Sequence, residues 1–385
     1  MKLLFTLLLL ILVTACSHPQ KIIGEGDINS STGTNDCTLE EQPCANYVTG
    51  DYKVSYTALP RPGWNFSEWI GCADQFPGCS FDIASSAVGQ FWGQTMPPLT
   101  AVFTQSSSAS CEGFSTESGQ FPERTLFSGG MDRYYSLKVP TVTDPLQPLP
   151  LVFDFHGFGL NKEQQAGYSQ FGALVEEEQF ILVTPDGIDN SWNAGTCCGN
   201  AVNATVDDVA FVNDMITEVS QEYCVDSNRI YSAGMSNGGF ISYRLACELS
   251  DKIAAIAPVA AANVTTSCAP SRPVPVIAFN GTADILVNYS IALSTVDEWA
   301  LQNQCESQPR IVYEQGDVTC FAYEECSQGA TTQLCIIDEG GHSWPGGVDL
   351  LAIAPEIYFW AGKTTQNIDA TQQAWAFFKA HPMTD

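Results

Sequence analysis

Positively charged side chains are scarce in this 385-residue chain. It has 15 Lys and Arg against 43 Asp and Glu, which gives a formal charge of −28, although only 15% of its residues are charged. A nucleic-acid-binding protein needs a basic surface to meet the phosphates, so this composition excludes nucleic acid as a partner. We interpret the acidity as a solubility feature. The length and an apolar share of 45% indicate a large core and two domains, one of them small.

The chain also lacks an apolar run that is long enough to span a bilayer as a mature helix. The run Leu3–Val13 follows Lys2 and precedes Thr14-Ala15-Cys16, which is the pattern of an export signal. Val13–Cys16 resembles a bacterial lipobox, in which the cysteine is acylated and becomes the new N-terminus. We therefore predict a lipoprotein signal peptide over residues 1–15, with Cys16 as the lipid anchor on the membrane surface. Ordinary signal cleavage beside an incidental cysteine is the alternative.

The cysteine spacings contain no CxxC…CxxC set, which argues against a zinc site. Of the 15 cysteines, 14 remain when Cys16 is set aside, and an even number in an exported chain indicates disulfides. Proximity suggests the pairs Cys247–Cys268 and Cys320–Cys335. The adjacent Cys197-Cys198 could pair with each other, or with Cys111 and Cys224.

The protein is expected outside the cell or on the envelope surface, on the outer membrane if the cell is Gram-negative.

Polar and small residues dominate Gln20–Asp36, so we predict a flexible tether over residues 16–36. Residues 37–105 then show the alternation that is typical of short strands, at Tyr52–Leu59, Trp64–Trp69 and Leu99–Phe103. This unit is predicted to be a small β-rich module, and Thr104–Ser110 is predicted to be the linker that follows it.

The segment VSYTALPRPGWNFSEWIGC, together with LTAVFT, resembles the bacterial surface repeat that is related to the internalin B-repeat. The resemblance implies that Cys72 and Cys79 clip a hairpin, which leaves Cys37 to pair with Cys44. A module of this kind could bind a surface or a glycan, or it could serve only as a spacer.

Residues 111–385 alternate apolar strands with amphipathic helices. The predicted strands are Arg133–Val139, Leu151–Phe155, Phe180–Thr184, Arg229–Ala233, Ile256–Ala260, Val274–Asn280 and Leu334–Ile337. The predicted helices are Glu163–Glu178, Val206–Tyr223, Phe240–Leu249 and Ile291–Gln304. This order predicts an α/β fold, with a buried and mostly parallel sheet covered by helices on both faces.

The stretch Arg229–Gly239, RIYSAGMSNGG, runs from a predicted strand through Gly-Met-Ser-Asn-Gly into a predicted helix. A serine on such a sharp turn is the nucleophile elbow of an α/β-hydrolase, so Ser236 is the candidate nucleophile. Glycines beside it would let strand and helix pack closely. The alternative is a glycine-rich turn that carries an inert serine.

The chain has four histidines: His18, His156, His342 and His381. The chain order Ser…Asp/Glu…His that this fold uses selects His342 as the general base. Asp284 follows the predicted strand Val274–Asn280 and is the candidate acid, with an Asx turn as the alternative. His156 is predicted to be buried and structural.

A tetrahedral intermediate needs backbone N–H donors for its oxyanion. Asn237, which follows the nucleophile, should supply one donor, and Phe158 in His156-Gly157-Phe158-Gly159 should supply the other, with Gly159 as the next choice. Trp192 and Trp344 are candidates for lining a substrate site, and loop packing is the alternative for both.

The motifs FDFHGFG, DNSWNAGTCCGN, VDDVAF, RIYSAGMSNGGF, FNGTADILVNY and GGHSWPGG together resemble the secreted esterases of the poly(3-hydroxybutyrate) depolymerase and feruloyl esterase types. The resemblance covers residues 111–385 and implies an α/β-hydrolase with Ser236, Asp284 and His342 as its triad. Asn280 departs from the pattern, because the family usually has histidine there.

The resemblance implies a serine esterase, which requires no metal or organic cofactor, and we expect a monomer. Its substrate would be a hydroxyalkanoate polyester, a feruloyl or acetyl ester of plant polysaccharide, or a small synthetic aryl ester. The competing interpretation is a non-catalytic lipoprotein that binds a surface through its N-terminal module.

Overall fold

The computed structural model describes residues 16–24, 26–31, 36–38, 44–48, 52–60, 64–72, 78–83, 98–105, 111, 113–144, 146–306, 308–349 and 359–383. The chain divides into two compact units, residues 1–108 and 109–385. The division falls within the predicted linker, Thr104–Ser110. The predicted signal peptide, residues 1–15, lies outside the described residues. In the described parts of the chain, no helix is long and apolar enough to cross a membrane.

The N-terminal unit is built from short strands. Strands β1 to β7 span Cys16–Ile23, Gly26–Ser30, Cys44–Val48, Tyr52–Pro60, Trp64–Ile70, Gly78–Ile83 and Leu99–Gln105. They form a four-stranded sheet in the order β3-β1-β7-β5 and a three-stranded sheet in the order β2-β4-β6. The predicted β-rich character is confirmed, whereas its likeness to the internalin B-repeat stays a prediction.

The predicted flexible tether over residues 16–36 is wrong, because β1 and β2 occupy most of it. Strand β1 pairs with β3 and β7, and β2 pairs with β4. The inward-facing side chains of β1 include His18 and Gln20, and Gln20 donates to the Tyr56 hydroxyl at 3.0 Å. Polar residues at buried positions concealed the alternation of this strand.

The large unit contains ten strands among its described residues. Strands β8 to β17 span Gly119–Ser128, Met131–Val139, Leu149–Phe155, Ile181–Pro185, Val225–Met235, Ala255–Val259, Val276–Gly281, Arg310–Gln315, Val318–Tyr323 and Thr332–Ile337. They form one sheet in the order β15-β16-β17-β14-β13-β12-β10-β11-β9-β8. The six central strands from β17 to β11 run parallel, and the two strands at either edge pair antiparallel.

Helices cover both faces of this sheet. Helices α1 to α7 span Lys162–Ser169, Val175–Glu178, Gly199–Asn203, Asp208–Glu222, Asn237–Glu248, Tyr289–Gln302 and Ala370–Ala380, with 3₁₀ turns at Phe171–Ala173 and Ser327–Gly329. Side chains of α4, α5 and α6 pack into one core cluster, and side chains of α1, α2 and α7 pack into the other. Strand β10 is buried along its whole length, as expected for a parallel strand between two helical layers.

All seven predicted strands and four predicted helices of this unit are present, with one correction. The predicted helix Glu163–Glu178 is two helices, because Gln170 adopts a left-handed conformation with φ 57° and ends α1. Strands β8, β15 and β16 and helices α3 and α7 were not predicted. Strands β8 and β15 leave a weak sequence pattern because neither of their faces is well buried.

Seven disulfides join the described cysteines. The pairs expected from proximity, Cys247–Cys268 and Cys320–Cys335, are confirmed, as are Cys37–Cys44 and Cys72–Cys79. Of the open alternatives, Cys197 bonds to Cys198 and Cys111 bonds to Cys224, and the remaining pair is Cys305–Cys326.

Candidate active site

Ser236 occupies a sharp turn between the central strand β12 and helix α5. Its backbone has φ 54° and ψ −119°, a conformation that non-glycine residues rarely adopt. The turn is held by hydrogen bonds from Ser236 N–H to Val259 O and from Phe240 N–H to Ser236 O, both 2.8 Å. Ser236 is partly exposed, whereas its neighbours Met235 and Asn237 are buried. The strained turn therefore presents this serine at the surface of the sheet edge.

Gly238 permits the close approach between this turn and strand β10. A Cβ atom on Gly238 would collide with the carbonyl oxygen of Phe155, the last residue of β10. A Cβ on Gly234 would lie 2.5 Å from the carbonyl oxygen of Gly238. The two glycines of the motif are thus required by packing, as the sequence interpretation proposed.

Asp284 and His342 form a buried hydrogen-bonded pair. His342 Nδ1 lies 2.7 Å from Asp284 Oδ2, and the side chains are 3% and 1% exposed respectively. The other carboxylate oxygen, Oδ1, accepts the N–H groups of Leu286 at 2.8 Å and Val287 at 2.9 Å. Because the carboxylate only accepts, His342 Nδ1 carries the proton and Nε2 is left with a free lone pair.

The loops that carry the acid and the histidine are tied together by their backbones. Thr282 N–H donates to Ile337 O and Ala283 N–H donates to Gly340 O, both at 2.9 Å. The hydroxyl of Thr282 also accepts the N–H of Glu339 at 2.8 Å. These bonds fix the Asp284–His342 geometry independently of the two side chains.

All three candidate residues follow the carboxyl ends of parallel strands, so the fold brings them to one edge of the sheet. Ser236 follows β12, Asp284 follows β14 and His342 follows β17. The acid–histidine hydrogen bond is formed, whereas none joins Ser236 Oγ to His342 within the described residues. In free enzymes this second bond is often long and shortens when substrate binds.

One predicted oxyanion donor, Asn237, follows Ser236 in the chain, and the other, Phe158, belongs to a loop beside it. A Cβ built on Gly157 would be 3.6 Å from Ser236 Cβ, which places the Gly157-Phe158 loop beside the serine. Gly159 N–H already donates to Asn190 O at 2.8 Å, so it is committed. The N–H groups of Phe158 and Asn237 have no acceptor among the described residues. Phe158 therefore suits the role better than Gly159.

His156 is buried and structural, as predicted. Its Nδ1 donates to Gly157 O at 2.8 Å, and its Nε2 accepts the N–H of Gly187 at 2.9 Å. Burial lowers the pKa of this imidazole. The ring is therefore a neutral support for the loop that carries Phe158.

Trp192 and Trp344 do not line a substrate site, which corrects that prediction. Both side chains are fully enclosed, at 0% and 1% exposure. Trp192 Nε1 donates to His156 O at 2.9 Å, and Trp344 Nε1 donates to Thr371 Oγ1 at 3.0 Å. Periodicity and motif position do not distinguish an enclosed loop tryptophan from an exposed one.

Exposed apolar side chains lie near the candidate residues: Phe158 is in the loop beside Ser236, and Ile285 and Leu286 directly follow Asp284. Phe158, Ile285 and Leu286 are 58%, 68% and 57% exposed. The partly exposed Trp360 lies with its ring centroid 6.2 Å from that of His342, edge to face. We call these four residues the apolar rim. The aromatic pair Phe359-Trp360 was the available sequence signal for its last member.

Comparison with known proteins finds several relatives that are named as esterases. The chain is 34% identical to feruloyl esterase B of Piromyces equi over 218 residues, which covers 50% of this chain and 39% of that protein. It is 27% identical to the bifunctional acetylxylan esterase/xylanase XynS20E of Neocallimastix patriciarum, over 55% of this chain and 31% of that one. Feruloyl esterase D of Neurospora crassa is 26% identical over 64% of this chain and 85% of its own length.

The first two relatives are much longer than the matched segment, so this chain spans less than half the length of each. No family model matches the chain. Among solved structures, an acetyl xylan esterase from Aspergillus awamori is similar with a TM-score of 0.47 and 13% identity, over 62% of this chain and 99% of that one. The α/β-hydrolase architecture of residues 109–385 is evident from the sheet order and the serine turn themselves.

Proposed function

We propose that the protein is an exported serine carboxylic-ester hydrolase that uses Ser236, His342 and Asp284. The observation that carries this proposal is the buried 2.7 Å hydrogen bond between Asp284 and His342 at the sheet edge where Ser236 occupies a strained turn. A structural histidine would have little need of a fully enclosed carboxylate that orients its ring and leaves Nε2 free. The disulfides support export, because such bonds persist in oxidising compartments.

The first half of the reaction forms an acyl-enzyme. Ser236 Oγ attacks the ester carbonyl carbon while His342 Nε2 takes the hydroxyl proton, and Asp284 stabilises the resulting imidazolium. The negative charge develops on the former carbonyl oxygen, which the N–H groups of Phe158 and Asn237 can bind. The C–O bond to the alcohol then breaks, and the departing oxygen receives the proton from His342.

The second half returns the enzyme to its starting state. Water attacks the acyl carbon while His342 Nε2 takes one of its protons, and the same two N–H groups bind the new oxyanion. The bond to Ser236 Oγ then breaks, the serine oxygen recovers the proton from His342, and the carboxylic acid leaves. Every proton in the cycle passes through His342, so no cofactor enters the balance.

We propose feruloyl or acetyl esters of plant polysaccharide as the substrate class. The names of the three relatives support this choice. The apolar rim favours the feruloyl member, since exposed side chains beside the nucleophile and the histidine offer a surface to a planar aromatic acyl group. A hydroxyalkanoate polyester is the second candidate, because the same exposed apolar side chains could contact a polymer surface.

The test compares substrates and variants side by side. Wild-type protein and Ser236→Ala are assayed with methyl ferulate, acetylated xylan and polyhydroxybutyrate film, and both are treated with a fluorophosphonate probe. We expect Ser236-dependent release of ferulate and labelling of the wild type alone. Equal background turnover in both proteins, with no labelling, would overturn the proposal and favour a non-catalytic surface-binding lipoprotein.

A further inference from the structure

Residues 187–193 form a loop that hydrogen-bonds to residues on both sides of Phe158 and to the side chain of Asn237, and we call this loop the brace. On one side it holds the segment that carries Phe158. Gly187 N–H donates to His156 Nε2 at 2.9 Å, Asn190 O accepts Gly159 N–H at 2.8 Å, and Trp192 Nε1 donates to His156 O at 2.9 Å. Two of these hydrogen bonds attach the brace to His156, two residues before Phe158, and the third attaches it to Gly159, the residue after Phe158.

On the other side, the brace is held by the side chain of Asn237. Asn237 Oδ1 accepts Trp192 N–H at 2.7 Å, and Asn237 Nδ2 donates to Trp192 O at 3.0 Å. This asparagine is completely buried, and its own backbone N–H is the second candidate donor. One residue of the brace, Trp192, thus bonds both to Asn237 and to His156, which lies two residues before Phe158.

A buried ion pair secures the far end of the brace. Asp208 Oδ1 lies 2.7 Å from the guanidinium of Arg133, and Asp208 Oδ2 accepts the N–H of Asn193 at 2.7 Å. Both charged side chains are almost wholly enclosed. Their pairing satisfies charges that would otherwise be costly to bury, and it fixes the backbone that follows Trp192.

We propose that the brace sets the separation of the Phe158 and Asn237 N–H groups, with the side chains of Trp192 and Asn237 as positioning residues for the oxyanion. The inference rests on the proposed esterase function. An oxyanion donor acts only when it lies about 2.7–3.1 Å from the charged oxygen. A displacement of about 1 Å in such a site can lower the rate about 100-fold.

The chain contains a matched pair of residues that makes the same contacts elsewhere. The buried Asn303 accepts Val274 N–H at 3.1 Å and donates to Val274 O at 2.9 Å. Trp299 Nε1 also donates to Val274 O at 2.9 Å and is likewise enclosed. We call the Asn237–Trp192 pair and the Asn303–Trp299 pair the two clamps. Val274 precedes strand β14, whereas Asp284 follows it. The Asn303–Trp299 clamp therefore lies at the opposite end of the parallel strands from the candidate site.

The experiment compares the two clamps in the full chain. Asn237→Leu and Trp192→Phe are measured beside Asn303→Leu and Trp299→Phe for Tm, for kcat and KM with methyl ferulate, and for inhibition by an arylboronic acid that forms a tetrahedral adduct with serine. We expect the variants of both clamps to have a lower Tm than the wild type. Only the brace variants should lower kcat about 10- to 100-fold and weaken the boronic acid by a similar factor, with KM within about threefold.

The outcomes separate this inference from the proposed function. The proposed role of the brace is overturned if kcat falls equally in the variants of both clamps, or if boronic acid inhibition is unchanged in the brace variants. In either case, Ser236-dependent turnover by the wild type still upholds the esterase function. Absence of that turnover in the wild type would overturn both. If Asn237→Leu does not fold, Trp192→Phe against Trp299→Phe decides, since each keeps an aromatic ring and loses one N–H donor.

Discussion

Replacing Asp284 with asparagine should disable His342 while leaving the fold intact. The carboxylate has two separate tasks: Oδ1 accepts the N–H groups of Leu286 and Val287, and Oδ2 accepts His342 Nδ1–H. An asparagine at this position satisfies the two backbone donors only if its oxygen replaces Oδ1. Its NH₂ group then faces His342 Nδ1, which must accept. The proton moves to Nε2, where it blocks proton transfer from Ser236.

The size of the effect follows from the alternative orientation. If the amide is turned over, its oxygen faces His342 and the productive tautomer is restored, but the N–H groups of Leu286 and Val287 then face an NH₂ group. Each N–H that loses its acceptor costs about 1–3 kcal/mol of free energy. The competent orientation is therefore disfavoured by about 2–6 kcal/mol in total. A loss of kcat between about 30-fold and 10⁴-fold is expected, the upper end matching a wholly wrong tautomer.

The assay is kcat with p-nitrophenyl acetate, accompanied by Tm. Asp338→Asn is the matched control, because Asp338 is an exposed carboxylate that meets Thr282, two residues before Asp284. We expect a change of less than about twofold in the control, because surface substitutions rarely matter. Less than a tenfold loss in Asp284→Asn, at unchanged Tm, would refute the assignment of Asp284 as the acid.

Three further predictions concern other parts of the molecule. Burial raises the pKa of Asp154 to about 7, so the folded state keeps this proton while the unfolded chain loses it above about pH 4, and stability falls as pH rises toward 7. Urea unfolding at pH 5 and pH 8 should show that Asp154→Asn removes part of this fall; an identical fall in the variant would contradict the assignment. Gly238→Ala should abolish soluble expression or turnover because the added methyl group would collide with Phe155 O. The control Gly167→Ala should retain both, because no atom lies within contact distance of the added methyl group. An active Gly238→Ala variant would refute the packing argument. Cys16→Ala should move the protein from membrane to soluble fractions, and unchanged partition would count against acylation.

Local pattern was sufficient to find the strand–serine–helix turn, the main parallel strands and most of the helices. Buried parallel strands such as β10 are apolar at all but one position, and the helices between them expose one polar face, so both leave a plain signal in the sequence. The first strand of the N-terminal unit left none, since His18 and Gln20 fill inward positions where apolar residues are expected. The tether prediction failed for that reason.

Chain order was sufficient to select Ser236, Asp284 and His342 as candidates. In a parallel sheet, the loops at the carboxyl ends of the strands share one edge, so residues that follow strands can be assigned to a common site without coordinates. The scarcity of histidine left few rivals for the base. The contact between Asp284 and His342 in the folded chain agrees with that selection.

The roles of Trp192, Asn237 and Trp360 depend on packing between segments that are far apart in the chain. Trp192 and Asn237 are 45 residues apart yet share two hydrogen bonds, and the rings of Trp360 and His342 are in contact. A sequence records which side chains are available, but the burial of each one depends on which segments fold over it. Motif position therefore suggested Trp192 as a substrate contact, whereas the folded chain encloses it and its Nε1–H donates to His156 O.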